Sequence, residues 1–355
     1  MMAESRIVLA IRLRQLGDVL STLGSLRALK RAAPDHTILF VADRSYHALL
    51  RSVRFIDELV AEPPAAGGLR RFAAYADYVE NIRRRSPSCV LDFHSNTRSS
   101  ILSYLSGAPV RVGFDVRVRK LLYTDVVPRA DFRGSAIVPR TSHESALALV
   151  RRGGFAAADG SAGATIPVAP EARLEGAQIL LRSGVSRAAL ENGRVVGCNP
   201  GNPYPAKAWA TENFGRLARM LREGGDAVVV FWGPGEEEAA LRVAAESDGA
   251  ARAAPRLALE ELPGVLANTR LLVTIDSGLK HLCVAVGVPT VTLFGPTSPF
   301  EWHMGGPLDR YIYSAEPCSP CRLKRCPYDV PCMTKISPEA VRELVAEIGR
   351  GMTSR

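Results

Sequence analysis

LLVTIDSGLKHLCVAVGVPTVTLFGPTSP, Leu271 to Pro299, decides how this chain folds. Leu271 to Ile275 is an apolar run of strand length that stops on Asp276-Ser277-Gly278. A short helical pattern follows and ends at Gly287. Pro289 then resets the chain into a second apolar run, Thr290 to Phe294, broken by Gly295-Pro296-Thr297. This is one strand-helix-strand unit with small and polar residues at the strand's carboxyl end. In open parallel sheets that crevice collects phosphates, because free backbone N–H groups and the helix dipole point into it. Nucleotide-linked chemistry is the leading reading of the segment.

The same alternation spreads outward in both directions. In the first half, Ile7 to Leu13, Thr37 to Ala42 and Cys89 to Phe93 read as strands. Val19 to Ala32, a segment starting at Tyr46, Ala74 to Arg85, Ser99 to Ser106 and His143 to Arg152 read as helices. Residues 61–70 look like a loop, and the arginine-rich stretch 111–140 shows little periodicity and reads as loops. Residues 153–170 are rich in Gly, Ala and Pro and place a linker at about 165–172. Beyond it, Val195 to Cys198 and Ala227 to Trp232 are strands. Glu171 to Ser183, Thr211 to Glu223 (with Thr211 as N-cap), Glu236 to Glu246 and Glu260 to Ala267 are helices. Strands alternating with helices twice over predict two doubly wound α/β domains, 1–168 and 169–355.

Composition bounds the function. A chain of 355 residues with 47% hydrophobic content can bury two cores, and no apolar run approaches the roughly 20 residues that cross a bilayer. The N-terminus does not read as a signal peptide, so a cytoplasmic location is expected. Net charge is +9, and residues 1–168 carry all of it, with 24 Lys/Arg against 15 Asp/Glu. A basic half suggests an anionic partner, with an arginine-rich codon bias as the bland alternative. Aromatic content of 6% without basic-aromatic interleaving argues against nucleic acid. Of seven cysteines, Cys89, Cys198 and Cys283 sit in apolar runs and read as core. Cys318, Cys321, Cys326 and Cys332 cluster. Their spacing permits a metal such as zinc but is not a pair of CxxC units, which leaves reduced loop thiols as the alternative.

The candidate chemistry sits at strand ends. Gln15-Leu16-Gly17-Asp18 follows the first strand; Gly17 allows close approach of another group, and Asp18 can be a general base or, alternatively, a helix N-cap. Asn199-Pro200-Gly201-Asn202 leads to Lys207, a point charge for a phosphate or a solvated loop lysine. Glu236, after Gly233-Pro234-Gly235, can accept from ribose hydroxyls or simply favour a helix start. Ser277 can donate to a phosphate and cap the helix, Gly278 and Leu279 offer N–H groups, and His281 in the first turn can face the same anion. Asp276 is awkward beside a phosphate and is expected to hold backbone N–H groups or a sugar hydroxyl. Read from residues alone, the sites leave open a transferase of another nucleotide sugar, a sugar-nucleotide epimerase and a non-catalytic nucleotide-sugar-binding module.

RLRQLGDVLSTLGSLRALK, VLDFHSNTRSSILSYLSGAPVRVGF, NPGNPYPAKAWATENFGRLARML, FWGPGEEE, TIDSGLKHLCVAVGVPTVTLFGPTSP and CSPCRLKRCPYDVPCM followed by ISPEAV resemble family 9 glycosyltransferases, the ADP-heptose:lipopolysaccharide heptosyltransferase family. The resemblance implies an α/β fold of GT-B type, two Rossmann-like domains facing across a cleft. The N-terminal one would take the acceptor and the C-terminal one the nucleotide sugar, with a last helix that can return to the N-terminal domain. It implies an inverting, metal-independent transfer of heptose from ADP-heptose to a hydroxyl of the lipopolysaccharide inner core, with no cofactor. Asp18 would be the base. Lys207, Ser277, Gly278, Leu279 and His281 would hold the diphosphate, Glu236 the ribose, and Asp276 would orient donor or loop. The acceptor would be an anionic lipid-linked glycan at the inner-membrane surface, met by Arg98 in the loop after the Cys89 strand, with Arg14, Gly17 and Arg117 behind it.

Overall fold

Each half of the chain builds a six-stranded parallel sheet in the same strand order. The computed structural model describes residues 5–63, 68–128, 141–158, 165–201, 204–303, 305–306 and 308–353. The chain divides into two units, Met1–Thr165 and Ile166–Arg355. The first holds β1 (Ile7–Ile11), β2 (Thr37–Ala42), β3 (Glu58–Ala61), β4 (Cys89–Asp92), β5 (Val110–Phe114) and β6 (Asp125–Val127), ordered β3-β2-β1-β4-β5-β6. The second holds β7 (Val195–Asn199), β8 (Ala227–Val230), β9 (Ala251–Ala253), β10 (Leu271–Ile275), β11 (Thr290–Phe294) and β12 (Arg310–Tyr313), ordered β12-β11-β10-β7-β8-β9. Counted along each unit, both are the doubly wound order 3-2-1-4-5-6. The strand direction of winding reverses between β1 and β4 in one unit and between β7 and β10 in the other, and a crevice opens there at the carboxyl ends.

The buried central strands explain why these segments were readable. β7, β10 and β11 are buried at every position, because helices cover both faces of a parallel sheet and leave no solvent side. The helix Gly278–Val286 returns the chain from β10 to β11 and stops at Gly287, whose φ of +83° is left-handed and suits glycine.

Several expectations are corrected. Residues 111–140 are not simply loops: β5, a 3-10 turn at Arg117–Leu122 and β6 occupy 110–127, whereas 129–140 lie outside the described residues. Arginines hid β5 because Arg111 satisfies its own guanidinium on Leu122 and Ala108 carbonyls at 3.1 and 2.6 Å, so a cation is tolerated in a strand. β3 is a four-residue edge strand, too short for a periodic signal. The N-cap of Thr211–Glu223 is Ala210, with no side-chain cap. In the final helix, Pro338–Thr353, Val341, Val345 and Ile348 pack in the second unit's core with Phe214, Leu217 and Val291.

Candidate functional site

In the second unit, the crevice between β7 and β10 is organised around one buried carboxylate. Asp276 follows β10 directly, and its side chain is 7% exposed. Its Oδ1 accepts from Lys280 Nζ at 2.7 Å, and its Oδ2 from Lys207 Nζ at 2.9 Å and Thr297 Oγ1 at 2.9 Å. Burial alone pushes the Asp276 carboxyl up, but Lys280 and Lys207 outweigh it and hold the group well below the usual carboxylate range. Burial pulls the Lys280 ammonium below its ordinary range, and the Asp276 charge offsets only part of that. Lys280 also donates to the Trp302 carbonyl at 2.9 Å and lies over the Phe294 ring, 5.0 Å from its centroid. Two ammonium groups on one carboxylate leave a net positive charge at the mouth of a helix, which is what a diphosphate needs.

That helix, Gly278–Val286, has Ser277 at its N-cap position, yet no side chain caps it. Ser277 Oγ instead donates to Asn199 Oδ1 at 3.0 Å, and Asn199 Nδ2 donates to the Phe231 carbonyl at 3.0 Å. Asn199 thus ties the carboxyl ends of β7, β8 and β10 together. The expected cap by Ser277 is therefore replaced by a cross-strand bond, leaving the first-turn N–H groups of Gly278 and Leu279 open to an anion. Lys207 ends a short 3-10 turn, Pro205–Lys207, and two of its three N–H donors go to Asp276, one to the backbone carbonyl at 3.1 Å. Glu236 precedes the helix Glu237–Glu246 and accepts from Gly233 N–H at 2.8 Å. It also stands against Gly201, where a Cβ would lie 2.1 Å from its Oε2, so the β7 and β8 loops meet only because position 201 is glycine. Asn202 lies outside the described residues.

His281 departs from expectation. It is buried, its ring packs edge-on to Trp302 at 5.9 Å, and its Nδ1 has no partner among the described residues. Burial, then the Lys280 charge, lower its pKa well below the ordinary value, so it is a neutral ring in the helix body. Unfolding lets it take up a proton below about pH 6.5, so the unfolded chain binds more protons there and stability falls as pH drops. Unfolding free energies from denaturant titrations between pH 7.5 and 5 are expected to fall with a slope of up to about 1.4 kcal/mol per pH unit, and His281→Gln is expected to flatten that slope. Equal slopes in both proteins would assign the acid sensitivity elsewhere.

The first unit has a matching crevice between β1 and β4. Asp18 lies in the first turn of the helix Leu16–Ala32, and Gln15 rather than Asp18 takes the N-cap position. Its Oδ2 meets Arg12 at 2.8 Å, with the Asp18 side chain about one fifth exposed (22%). Arg12 also donates to the Phe93 carbonyl, and Leu13 N–H donates to His94 Nδ1 at 3.2 Å, so the β1 and β4 ends are laced together. Asp92, fully buried, shapes the β4 end by accepting from His94 and Ser95 N–H at 3.0 and 2.8 Å and from the Tyr123 hydroxyl at 2.7 Å. Gly17 is buried in the same first turn as Asp18. Arg14 is exposed and 3.7 Å from Asp43. Arg98 is not in a loop: Asn96 caps the helix Thr97–Leu105, placing Arg98 in its first turn, paired with Glu62 at 2.5 Å. Arg117 opens the 3-10 turn at φ +44°, exposed.

Residues 77–330 match the sequence profile of glycosyltransferase family 9 (heptosyltransferase). The chain belongs to glycosyltransferase family 9. Among curated relatives, lipopolysaccharide heptosyltransferase 1 of Pseudomonas aeruginosa is 33% identical over 186 residues, which is 45% of this chain and 52% of that protein. The chain thus spans about half the length of this relative. Among solved structures, the family 9 glycosyl transferase of Veillonella parvula superposes with a TM-score of 0.80 at 23% identity, covering 98% of both chains. Escherichia coli heptosyltransferase WaaC with ADP-2-deoxy-2-fluoro heptose gives 0.68 at 21% identity, covering 96% of this chain and 99% of that one. The fold of this family 9 chain is the α/β, GT-B type.

The four clustered cysteines have a structural setting in this family 9 chain. All are free, and among the described residues no three His, Cys, Asp or Glu side chains are grouped as metal ligands would be. Burial and then the neighbouring Cys321, Cys318 and Cys326 push the Cys332 thiol up to about 11, keeping it protonated at neutral pH. The loop that carries them is a strap. Ser319 Oγ donates to the Gly295 carbonyl, Arg322 N–H to the Pro296 carbonyl at 2.8 Å, and Ala206 N–H to the Lys324 carbonyl at 3.1 Å. It joins the Thr297 side of the site to the Lys207 side.

Sequence reasoning missed Lys280, Asn199, Thr297 and Arg12. Lys280 carried a signal, its i,i+4 spacing from Asp276 on a helix start. Arg12 carried none, since its partner is set by the strand end. A cavity of the second unit of about 1180 Å³ opens at the amino-terminal edge of the sheet beside Arg194, Asp226 and Arg270 and holds none of these residues.

Proposed function

We propose that this chain transfers heptose from ADP-heptose to a hydroxyl of an anionic, lipid-linked glycan, the lipopolysaccharide inner core, with inversion and without a metal. The observation that carries the reading is the Lys207–Asp276–Lys280 cluster at the uncapped start of Gly278–Val286, in a family 9 chain. An inverting displacement needs two things of the protein: a base for the attacking hydroxyl and a cationic seat for the leaving group. Asp18 takes the acceptor proton as the hydroxyl oxygen bonds to the anomeric carbon. The bond from that carbon to the diphosphate breaks with its electron pair, and Lys207 with the Gly278 and Leu279 N–H groups receives the ADP. Ser277 positions that turn through Asn199, Asp276 keeps Lys207 in place, and Glu236 takes the ribose hydroxyls. His281 serves as packing beneath the turn. Arg14, Arg98 and Arg117, with Gly17 leaving room, serve the anionic acceptor on the basic first unit, at the cytoplasmic face of the inner membrane. No helix among the described residues is long and apolar enough to cross a membrane, which suits access to a lipid-linked acceptor from the surface. The relatives' names and the sugar nucleotide of the WaaC complex support heptose and ADP as the donor.

Thermal denaturation with ADP, UDP and GDP tests the donor. At a nucleotide concentration about 100 times Kd, a ligand bound only by the folded state raises the melting temperature by about 5 to 10 °C. ADP alone is expected to do so; a larger shift with UDP would remove ADP-heptose. Release of ADP from ADP-heptose only when acceptor is added separates transfer from epimerisation.

A further inference from the structure

The first unit carries an apolar face that no described residue covers, bordered by more cations than anions. The turn Arg117–Leu122 is a 3-10 helix, in which residues three apart eclipse one another. Its sequence RVRKLL therefore sorts into columns. Val118 and Leu121 form one, exposed at 76% and 75%; Lys120 is exposed beside it, and so is Arg117, whose φ of +44° sets it outside the regular turn. Arg119 and Leu122 form another and are half-buried. Against this turn packs the helix Thr97–Leu105, which presents Ile101, Tyr104 and Leu105 to solvent at i, i+3 and i+4, a single helical face. Arg111 sits 5.7 Å over the Tyr104 ring. Five large apolar side chains lie on two touching elements, edged by Arg111, Arg117 and Lys120, the last 3.3 Å from Asp115, so the edge keeps a net positive charge.

We propose that this face is a docking surface for an anionic lipid bilayer. Apolar tips that enter the acyl boundary, flanked by Lys and Arg that meet headgroup phosphates, are the two components of interfacial binding. The charge excess of the whole chain lies on this unit, so its long-range field has the sign that such a surface attracts. A second copy of the chain fits worse, since a self-complementary contact would bring two copies of the Arg111, Arg117 and Lys120 edge into one interface. The inference deepens the reading that the acceptor is lipid-linked, by naming the surface that brings the enzyme to it.

Sedimentation with vesicles tests it, using the full chain without sugar nucleotide or acceptor. Strong binding is expected to phosphatidylcholine vesicles containing phosphatidylglycerol, and weak binding to phosphatidylcholine alone. The Val118→Ser, Leu121→Ser double variant is expected to lose about 10- to 100-fold in binding constant, and Lys120→Ala about fivefold. Melting temperature is expected to be unchanged, because these side chains are already in water. Wild-type protein that ignores both vesicles, or a double variant that binds like wild type, would overturn the proposal. So would a double variant that turns a dimer into a monomer in ultracentrifugation with vesicle binding unchanged, which would make the face a contact between copies. Because the vesicles hold no acceptor, these results stand apart from the transferase reading, which the nucleotide shifts and ADP release decide.

Discussion

Asp18→Ala is expected to lower kcat for transfer by about 10²- to 10⁴-fold while leaving nucleotide affinity within about threefold. A sugar hydroxyl is a poor nucleophile until its proton has a destination, and positioned general bases contribute on that scale. Asp18 is the carboxylate at the β1 end of the first unit's crevice, where the acceptor is proposed to bind, and it reaches solvent. Arg12 fixes its orientation at 2.8 Å. The substitution removes no nucleotide contact, so its effect belongs on kcat with acceptor present. Arg12 keeps its bond to the Phe93 carbonyl, which limits the loss of stability. Single-turnover rates with ADP-heptose and acceptor, beside calorimetric ADP titration, make the comparison; transfer within a few-fold of wild type would remove Asp18 as the base.

The second large effect is on the fold of the second unit. Asp276→Ala strands Lys280, whose side chain is 2% exposed, beside Lys207 with no counter-charge. Breaking one side of a buried ion pair costs about 3–5 kcal/mol, which in a unit of this size lowers the melting temperature by roughly 10 °C or more. Lys280→Met combined with Asp276→Asn removes both buried charges and is expected to recover most of that loss, since a neutral, well-packed replacement of an ion pair is often close to neutral in stability. Lys207→Met should separate the two roles of the cluster. Lys280 still holds Asp276, so stability changes little, while ADP affinity falls about tenfold or more because a charge-assisted contact to the diphosphate is gone. If the double variant melts no higher than Asp276→Ala, the cost lies in packing and the charge argument fails.

The parts of the fold that were legible in sequence were those buried on both faces. β10 and β11 are uninterrupted apolar runs because no side of them meets water, and their polar ends marked the crevice. β3 and β6 were not legible, being four and three residues at sheet edges, and β5 was masked by Arg111, whose charge is settled locally. At the site, Asp18, Lys207, Ser277 and Asp276 announced themselves as polar groups at strand ends. Their partners did not. A buried lysine reads in sequence like a solvated one, and only the carboxylate one helical turn earlier explains Lys280. Asp276 was misread for the same reason: it looked like a charge opposed to phosphate, whereas two lysines turn it into their anchor. Arg98 was placed in the loop because the helix start was read two residues late, at Ser99, and the Asn96 capping box, with Ser99 answering three residues on, was overlooked.

The cysteine strap has a kinematic consequence. The loop after β11, the strap and the Pro205–Lys207 turn are joined in series by the bonds at Gly295, Pro296 and Ala206, and Lys207 closes the circuit on Asp276, which Thr297 also reaches. Such a circuit is a closed linkage. None of its members can swing outward without carrying the others, so the proposed seat for the diphosphate is preset before a ligand arrives, and breaking a single joint would turn the ring into an open chain.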